Sequence, residues 1–327
     1  MPETAPPPYA PLVEVVRSGF REGVHYGAVV GLTASGEIGY SRGDVAAPML
    51  PRSAAKPFQA SAVLRAGAPL HGPQVAVAAG SHSGEPRHAE LVRATLAASG
   101  LSEDDLGCPA EWPLDRHERD ALLRAGGSPA RVLMNCSGKH AAMLAACVAR
   151  GWDTAGYLAP DHPVQAAVRA EIERLCGEPV AHTAVDGCGA PQLAVSLLGL
   201  ARGLRAMVGA AADSPEGRVL AAMRAHPEYV AGERRDDTRL MRALPGLVSK
   251  IGAEGVIAIA APTGEAVAVK MSDGDPLGRA RTAAGLTALA ALGVDVEPVR
   301  AMLETEVLGG GAPVGAVRPL PEAGPRG

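Results

Sequence analysis

The chain has 327 residues, 47% of them hydrophobic and 20% charged, with a formal net charge of −4 and a pI near 6.2. That apolar content excludes a disordered chain, and 40 Gly with 28 Pro stay below the level of low-complexity sequence. An acidic balance with only two Phe, two Trp and five Tyr argues against a nucleic-acid partner, and no apolar run approaches the roughly 18 residues of a membrane span. The segment Met1 to Pro8 lacks the basic-then-apolar order of an export signal, and five cysteines are an odd set for a disulfide framework. Both point to a cytoplasmic protein with reduced thiols.

In chain order, residues 1–11, with five prolines, read as a loose arm. Val24–Thr33 and Glu37–Arg42 read as strands around an Ala34-Ser35-Gly36 turn. Helical patterns follow over Ala54–Ala66, Pro86–Ser99, Asp115–Ala125, Lys139–Arg150, Pro163–Cys176, Pro191–Arg202, Pro215–Ala225 and Asp237–Leu244. Gly255–Ala261 and Ala266–Met271 flank the turn cluster Pro262-Thr263-Gly264-Glu265, a second hairpin, and Pro276–Leu292 reads as a long helix. Residues 309–327 read as a flexible Gly/Pro-rich tail, which leaves 12–308 as a single domain. Strands at both ends with helices between them predict an α+β fold, its antiparallel sheet built from the N- and C-terminal segments.

The basic residues are unevenly divided, with four lysines, Lys56, Lys139, Lys250 and Lys270, among 31. Arginine stays protonated at any working pH, whereas a buried lysine can lose its proton, so a lysine kept in an arginine-rich chain is a candidate for chemistry. Ser53 and Lys56, three apart at an expected helix start, share one face, where the lysine can serve the serine as a base and first-turn N–H groups can hold an oxyanion. Lys250-Ile251-Gly252 leads into the second hairpin, and its glycine allows a ligand to approach the backbone. Ser-x-x-Lys early and Lys-x-Gly on a late strand together resemble the pattern of serine β-lactamases and penicillin-binding proteins.

Ser81-His82-Ser83-Gly84-Glu85 offers hydroxyls, an imidazole and a carboxylate for proton relay, with Ser81 or Ser83 as the relaying group; it reads equally as a helix-capping turn. Asn135-Cys136-Ser137-Gly138-Lys139-His140 holds the only asparagine of the chain, and Asp186-Gly187-Cys188 lies in a Gly-rich loop. From residue types alone these cysteines are either core or, with a nitrogen and a water, a tetrahedral metal site. Cys108, Cys147 and Cys176 read as core, and Lys270 as structural. The loop His226–Gly232 with Arg234, Arg235, Asp236 and Asp237 reads as a lid or a dimer contact.

These motifs, with Asp161-His162-Pro163 and His226-Pro227-Glu228-Tyr229-Val230-Ala231-Gly232, resemble the rhizobial-type (class 3, thermolabile asparaginase II) L-asparaginases from about Val24 to Asp275. That family is similar in fold to serine β-lactamases and serine-dependent glutaminases, is dimeric, and hydrolyses L-asparagine to L-aspartate and ammonia. The resemblance implies Ser53 as nucleophile with Lys56 as its base, and Ser81 with Lys250 as a second pair. It implies a zinc ion held by Cys136, Lys139 and Cys188 that shapes the pocket, substrate contacts from Arg52, His140 and Asp186, and a homodimer. A glutaminase, another serine amidohydrolase or β-lactamase-like hydrolase, and a catalytically dead zinc-containing amino-acid-binding protein are the alternative readings.

Overall fold

In the computed structural model, which describes residues 9–320, eleven strands form two sheets. They are β1 Ala10–Arg17, β2 Phe20–Leu32, β3 Ile38–Arg42, β4 Pro48–Met49, β5 His182–Val185, β6 Pro191–Ser196, β7 Val248–Gly252, β8 Val256–Ala260, β9 Ala266–Met271, β10 Thr305–Gly309 and β11 Ala312–Pro319. The main sheet runs β10-β11-β1-β2-β9-β8-β7 with β3 beside β2, and every pairing in it is antiparallel. The N- and C-terminal segments meet at β2 and β9, where Val29 faces Val269 and Gly27 faces Met271. This is the expected α+β architecture.

β7 to β9 are buried at every position except the partly exposed Lys270, because helices Leu197–Val208 and Arg281–Ala291 pack on this part of the sheet. A sheet covered on both faces needs near-continuous apolar strands, and Val-Ile-Ala-Ile-Ala supplies one. At Gly285 a Cβ would stand 3.1 Å from Ile259, which shows how closely the last helix approaches. The helical region between the sheet halves includes Lys56–Arg65, Pro73–Ala78, Ser137–Arg150 and Pro163–Cys176, which share one core with the sheet.

Four expectations need correction. The chain from Gly309 onward is no flexible tail over its described part: Gly310 and Gly311, with φ of +58° and +85°, form a two-residue hairpin turn that returns the chain as β11, between β10 and β1. Ala10 and Pro11, expected to be part of the arm, belong to β1, and residues 1–8 and 321–327 of the expected arm and tail lie outside the described residues. Pro191–Ser196 is a strand against β5 and β4, and the helix begins at Leu197, where Ser196 Oγ accepts from Gly199 N at 2.8 Å. The last long helix starts at Arg281, because the Asp275 carboxylate accepts the N–H groups of Arg279, Ala280 and Arg281 and holds residues 276–280 in a loop.

Candidate active site

Ser53 lies in the 3-10 turn Arg52–Ala55, directly before the helix that Lys56 opens, with Pro57 in its first turn, where a missing N–H costs nothing. Arg52 has φ of +51°, a left-handed conformation that a side chain rarely adopts. β7 presses against this turn: a Cβ at Gly252 would stand 2.6 Å from Pro51 O and 3.2 Å from Ala54 N. The glycine of Lys-x-Gly thus makes room for the serine turn itself.

A cavity of about 330 Å³ opens here, lined by Ser53, Ser81, Asn135, Arg235, residues 251–254 and residues 273–276 with Arg281. Ser81 enters it from the extended segment after helix Pro73–Ala78, held by its N–H on Val230 O at 2.7 Å. Lys56 is buried, and its Nζ donates to Gly80 O at 2.6 Å and to Ser81 Oγ at 3.0 Å. Among the described residues Lys56 makes no hydrogen bond to Ser53 Oγ. Ser83 is buried beneath Gly232, outside the cavity lining, and its hydroxyl has no partner among the described residues. The helix after this segment is capped by Glu85 with His88, whose Nδ1 accepts from Glu85 N at 3.1 Å.

Lys250 is buried on β7, with its ammonium nitrogen 2.6 Å from Ile251 O and 3.7 Å from the Asp237 carboxylate. Burial pushes its pKa down to about 7, against the pull of Asp237, so the neutral amine is available near neutrality. The resemblance pairs Lys250 with Ser81; in this structure the lysine on Ser81 is Lys56, and Lys250 stands with Asp237. Asp237 also accepts from Ser249 Oγ at 2.6 Å and from Ile251 N at 3.0 Å, which fixes the register of β7 beside helix Asp236–Ala243.

Cys136, Lys139 and Cys188 converge behind this wall. Lys139 Nζ donates to Cys188 Sγ at 3.0 Å, and Cys188 Sγ lies 3.8 Å from the Asp186 carboxylate. A hydrogen bond from Cys188, with Lys56 and Lys139 nearby, holds the Cys136 thiol well below its usual range. Burial works to lower the Lys139 ammonium, and the two sulfurs more than reverse this. Two thiolates with an amine are a chemically fitting donor set for zinc once the amine is deprotonated. Among the described residues no group of three or more His, Cys, Asp or Glu could hold a metal ion, so a metal here needs Lys139. Cys108, Cys147 and Cys176 are buried thiols, each raised above its ordinary pKa chiefly by burial, to about 11, 11 and 12.

Arg52 and Asp186, two expected substrate contacts, bind each other: Arg52 Nε donates to Asp186 Oδ1 at 2.8 Å, with Glu254 a further 3.9 Å neighbour of the guanidinium. His140 is fully buried, and its Nδ1 stands 2.6 Å from the Tyr157 hydroxyl, which itself accepts from Gly107 N at 2.8 Å. Burial, with Lys139 and Lys56 adding to it, keeps His140 neutral. Its Nε2 is buried without a partner among the described residues. Arg235 and Asp237 belong to the loop expected to be a lid or a dimer contact, whereas the structure puts Arg235 in the cavity lining and Asp237 beside Lys250; Tyr157 had no expected role, and only the fold brings it to His140.

The L-asparaginase II family model matches residues 13–319, and the chain belongs to that family. A search of curated proteins finds no match. Among solved structures, Mglu in its native form is 13% identical with a TM-score of 0.45, over 86% of this chain and 66% of that one. A probable glutaminase is 15% identical with a TM-score of 0.38, over 83% and 87%. A β-lactamase from Mycobacterium bovis is 15% identical with a TM-score of 0.36, over 82% and 95%. The chain spans slightly less than two thirds of the length of Mglu. No helix among the described residues is long and apolar enough to cross a membrane.

Proposed function

We propose that the chain is an L-asparaginase that hydrolyses L-asparagine to L-aspartate and ammonia, with Ser53 as nucleophile. The observation that carries this reading is one cavity lined by Ser53 and Ser81, with Lys56 bonded to Ser81 and a lysine of pKa about 7 behind them. Ser53 Oγ attacks the side-chain amide carbon while Lys56 takes its proton, and first-turn N–H groups hold the oxyanion. The bond from Lys56 to Ser81 Oγ offers that proton a path toward the departing ammonia. Ser81 with Lys250 is the second pair of this reading, although Lys250 rests on Asp237 here and Lys56 holds Ser81. Water then cleaves the aspartyl ester and Ser53 recovers its proton. Cys136, Lys139 and Cys188 would hold zinc, which when bound neutralises the thiolates and fixes the floor of the pocket.

The same reading includes a cytoplasmic homodimer, which sedimentation of the purified protein tests. The decisive experiment is ammonia release from L-asparagine and L-glutamine by wild type, Ser53→Ala and Lys56→Met. Release from asparagine that both variants lose supports the reading. Release that either folded variant retains at the wild-type rate overturns it, and release from glutamine alone makes the enzyme a glutaminase.

A further inference from the structure

The cavity that holds Ser53 and Ser81 has one cationic side chain without a counter-charge. Arg281 donates to Asp275 O at 3.1 Å and lies 3.6 Å from the Asp275 carboxylate. Arg52, next to Ser53, is engaged by Asp186, and Lys250 by Asp237. Arg235 lines the cavity, and its guanidinium makes no hydrogen bond or ion pair among the described residues. Its chain neighbour Arg234, by contrast, is taken by Asp115 at 2.7 Å and Glu118 at 3.1 Å.

The backbone that carries Arg235 is fastened. Val230 O accepts from Ser81 N, Glu233 N donates to Glu85 Oε1 at 2.9 Å, and Arg235 N donates to Gly232 O at 3.2 Å. Gly232, at φ +130°, leaves no room for a Cβ over Ser83 and Glu85. The segment is therefore a backbone wall tied to Ser81, and it carries Arg235 into the lining of the cavity that Ser53 and Ser81 share. A planar guanidinium with all its donors free is built for a carboxylate.

We infer that Arg235 receives the α-carboxylate of the amino-acid substrate, and that Arg52 acts as a positioning residue that orients Asp186. The inference rests on the amidohydrolase reading above and assigns its specificity. An asparagine within a peptide has an amide where Arg235 requires a negative charge, so the site selects the free amino acid.

The test compares L-asparagine with 3-aminopropanamide, which has the same reacting amide and no α-carboxylate, in wild type, Arg235→Gln and Arg235→Lys. Arg235→Gln is expected to lower kcat/KM for L-asparagine about 100-fold, mostly through KM, and to leave 3-aminopropanamide within about 3-fold. Arg235→Lys is expected to recover part of the loss. Equal losses on both amides, or none on L-asparagine, overturn the assignment. Calorimetric titration with L-aspartate gives a readout free of turnover, in which Arg235→Gln should bind about 30-fold more weakly than wild type. A wild type that binds L-aspartate through Arg235 yet releases no ammonia removes the hydrolase reading and keeps the assignment. A variant that binds as wild type does, or a wild type that binds no L-aspartate, removes the assignment. Melting curves of both variants establish that they are folded, and Arg235→Lys serves where Arg235→Gln is not.

Discussion

Two buried lysines in this molecule meet opposite fates. Lys250, on a strand, has one carboxylate at 3.7 Å, and burial wins: its pKa falls to about 7. Lys139, on a helix, has Cys188 at 3.0 Å with Cys136 and Asp186 beyond, and the anionic neighbours win: it is held protonated more firmly than a lysine in water. Burial is common to both, so the number and closeness of negative partners decide whether a lysine is a base or a cation. The strand lysine is ready for proton transfer, while the helix lysine gives up its proton only to something stronger, such as a metal ion.

The sharpest break of this contrast is Lys250→Arg, which keeps a cation and forbids its deprotonation. Ammonia release should fall on the order of 10³-fold, as for the loss of a general base, and Lys250→Met should fall as far. If Lys250→Arg retained a tenth of wild-type activity, Lys250 would be a structural cation. Gly252→Ala should come next: its Cβ, 2.6 Å from Pro51 O, pushes the Ser53 turn out of place, lowering kcat on the order of 100-fold and stability by about 1–3 kcal/mol in denaturant titration.

On the proposed reading, Cys188→Ser with Cys136→Ser should abolish zinc binding measured by elemental analysis and lower ammonia release about tenfold, since an ion held there would shape the pocket and take no part in the amide chemistry. A smaller effect belongs to pH. The folded protein holds Lys250 at about 7 against an ordinary value of 10.5, so between those values the unfolded chain binds more protons and stability rises with pH. The difference in unfolding free energy between wild type and Lys250→Met should grow in favour of wild type by about 1–2 kcal/mol from pH 7 to 9. A flat difference over that range means that Lys250 is not depressed.

The sequence carried the sheet halves and most helices, because apolar runs beside turn clusters in β2 and β9, Pro at helix starts and Ser at caps are local signals. It misread Pro191–Ser196, where Leu, Ala and Val suit a helix as well as a buried strand and only tertiary pairing decides. It misread Gly309–Gly311 as looseness, although two consecutive glycines are also what a tight hairpin requires. At the site, the scarcity of lysine marked Lys56, Lys139 and Lys250, each of which proves buried. Which serine each lysine meets was beyond it, since Lys56 reaches Ser81 across 25 positions and Lys250 meets Asp237 through the packing of a helix on a strand. Arg235 is one arginine among many, and nothing local separates it from the paired Arg234.

The hairpin at Gly310 and Gly311 also sets a schedule. β11 sits between β10 and β1, and Leu320 N donates to Leu12 O at 3.0 Å, so segments about 300 positions apart complete the same edge of the sheet. On a ribosome that adds residues one at a time, β1 emerges early and must wait through the synthesis of every helix before its neighbour exists. Until then it offers an unpaired edge to any other chain in reach, an edge that β11 closes only after about 300 further residues have been made.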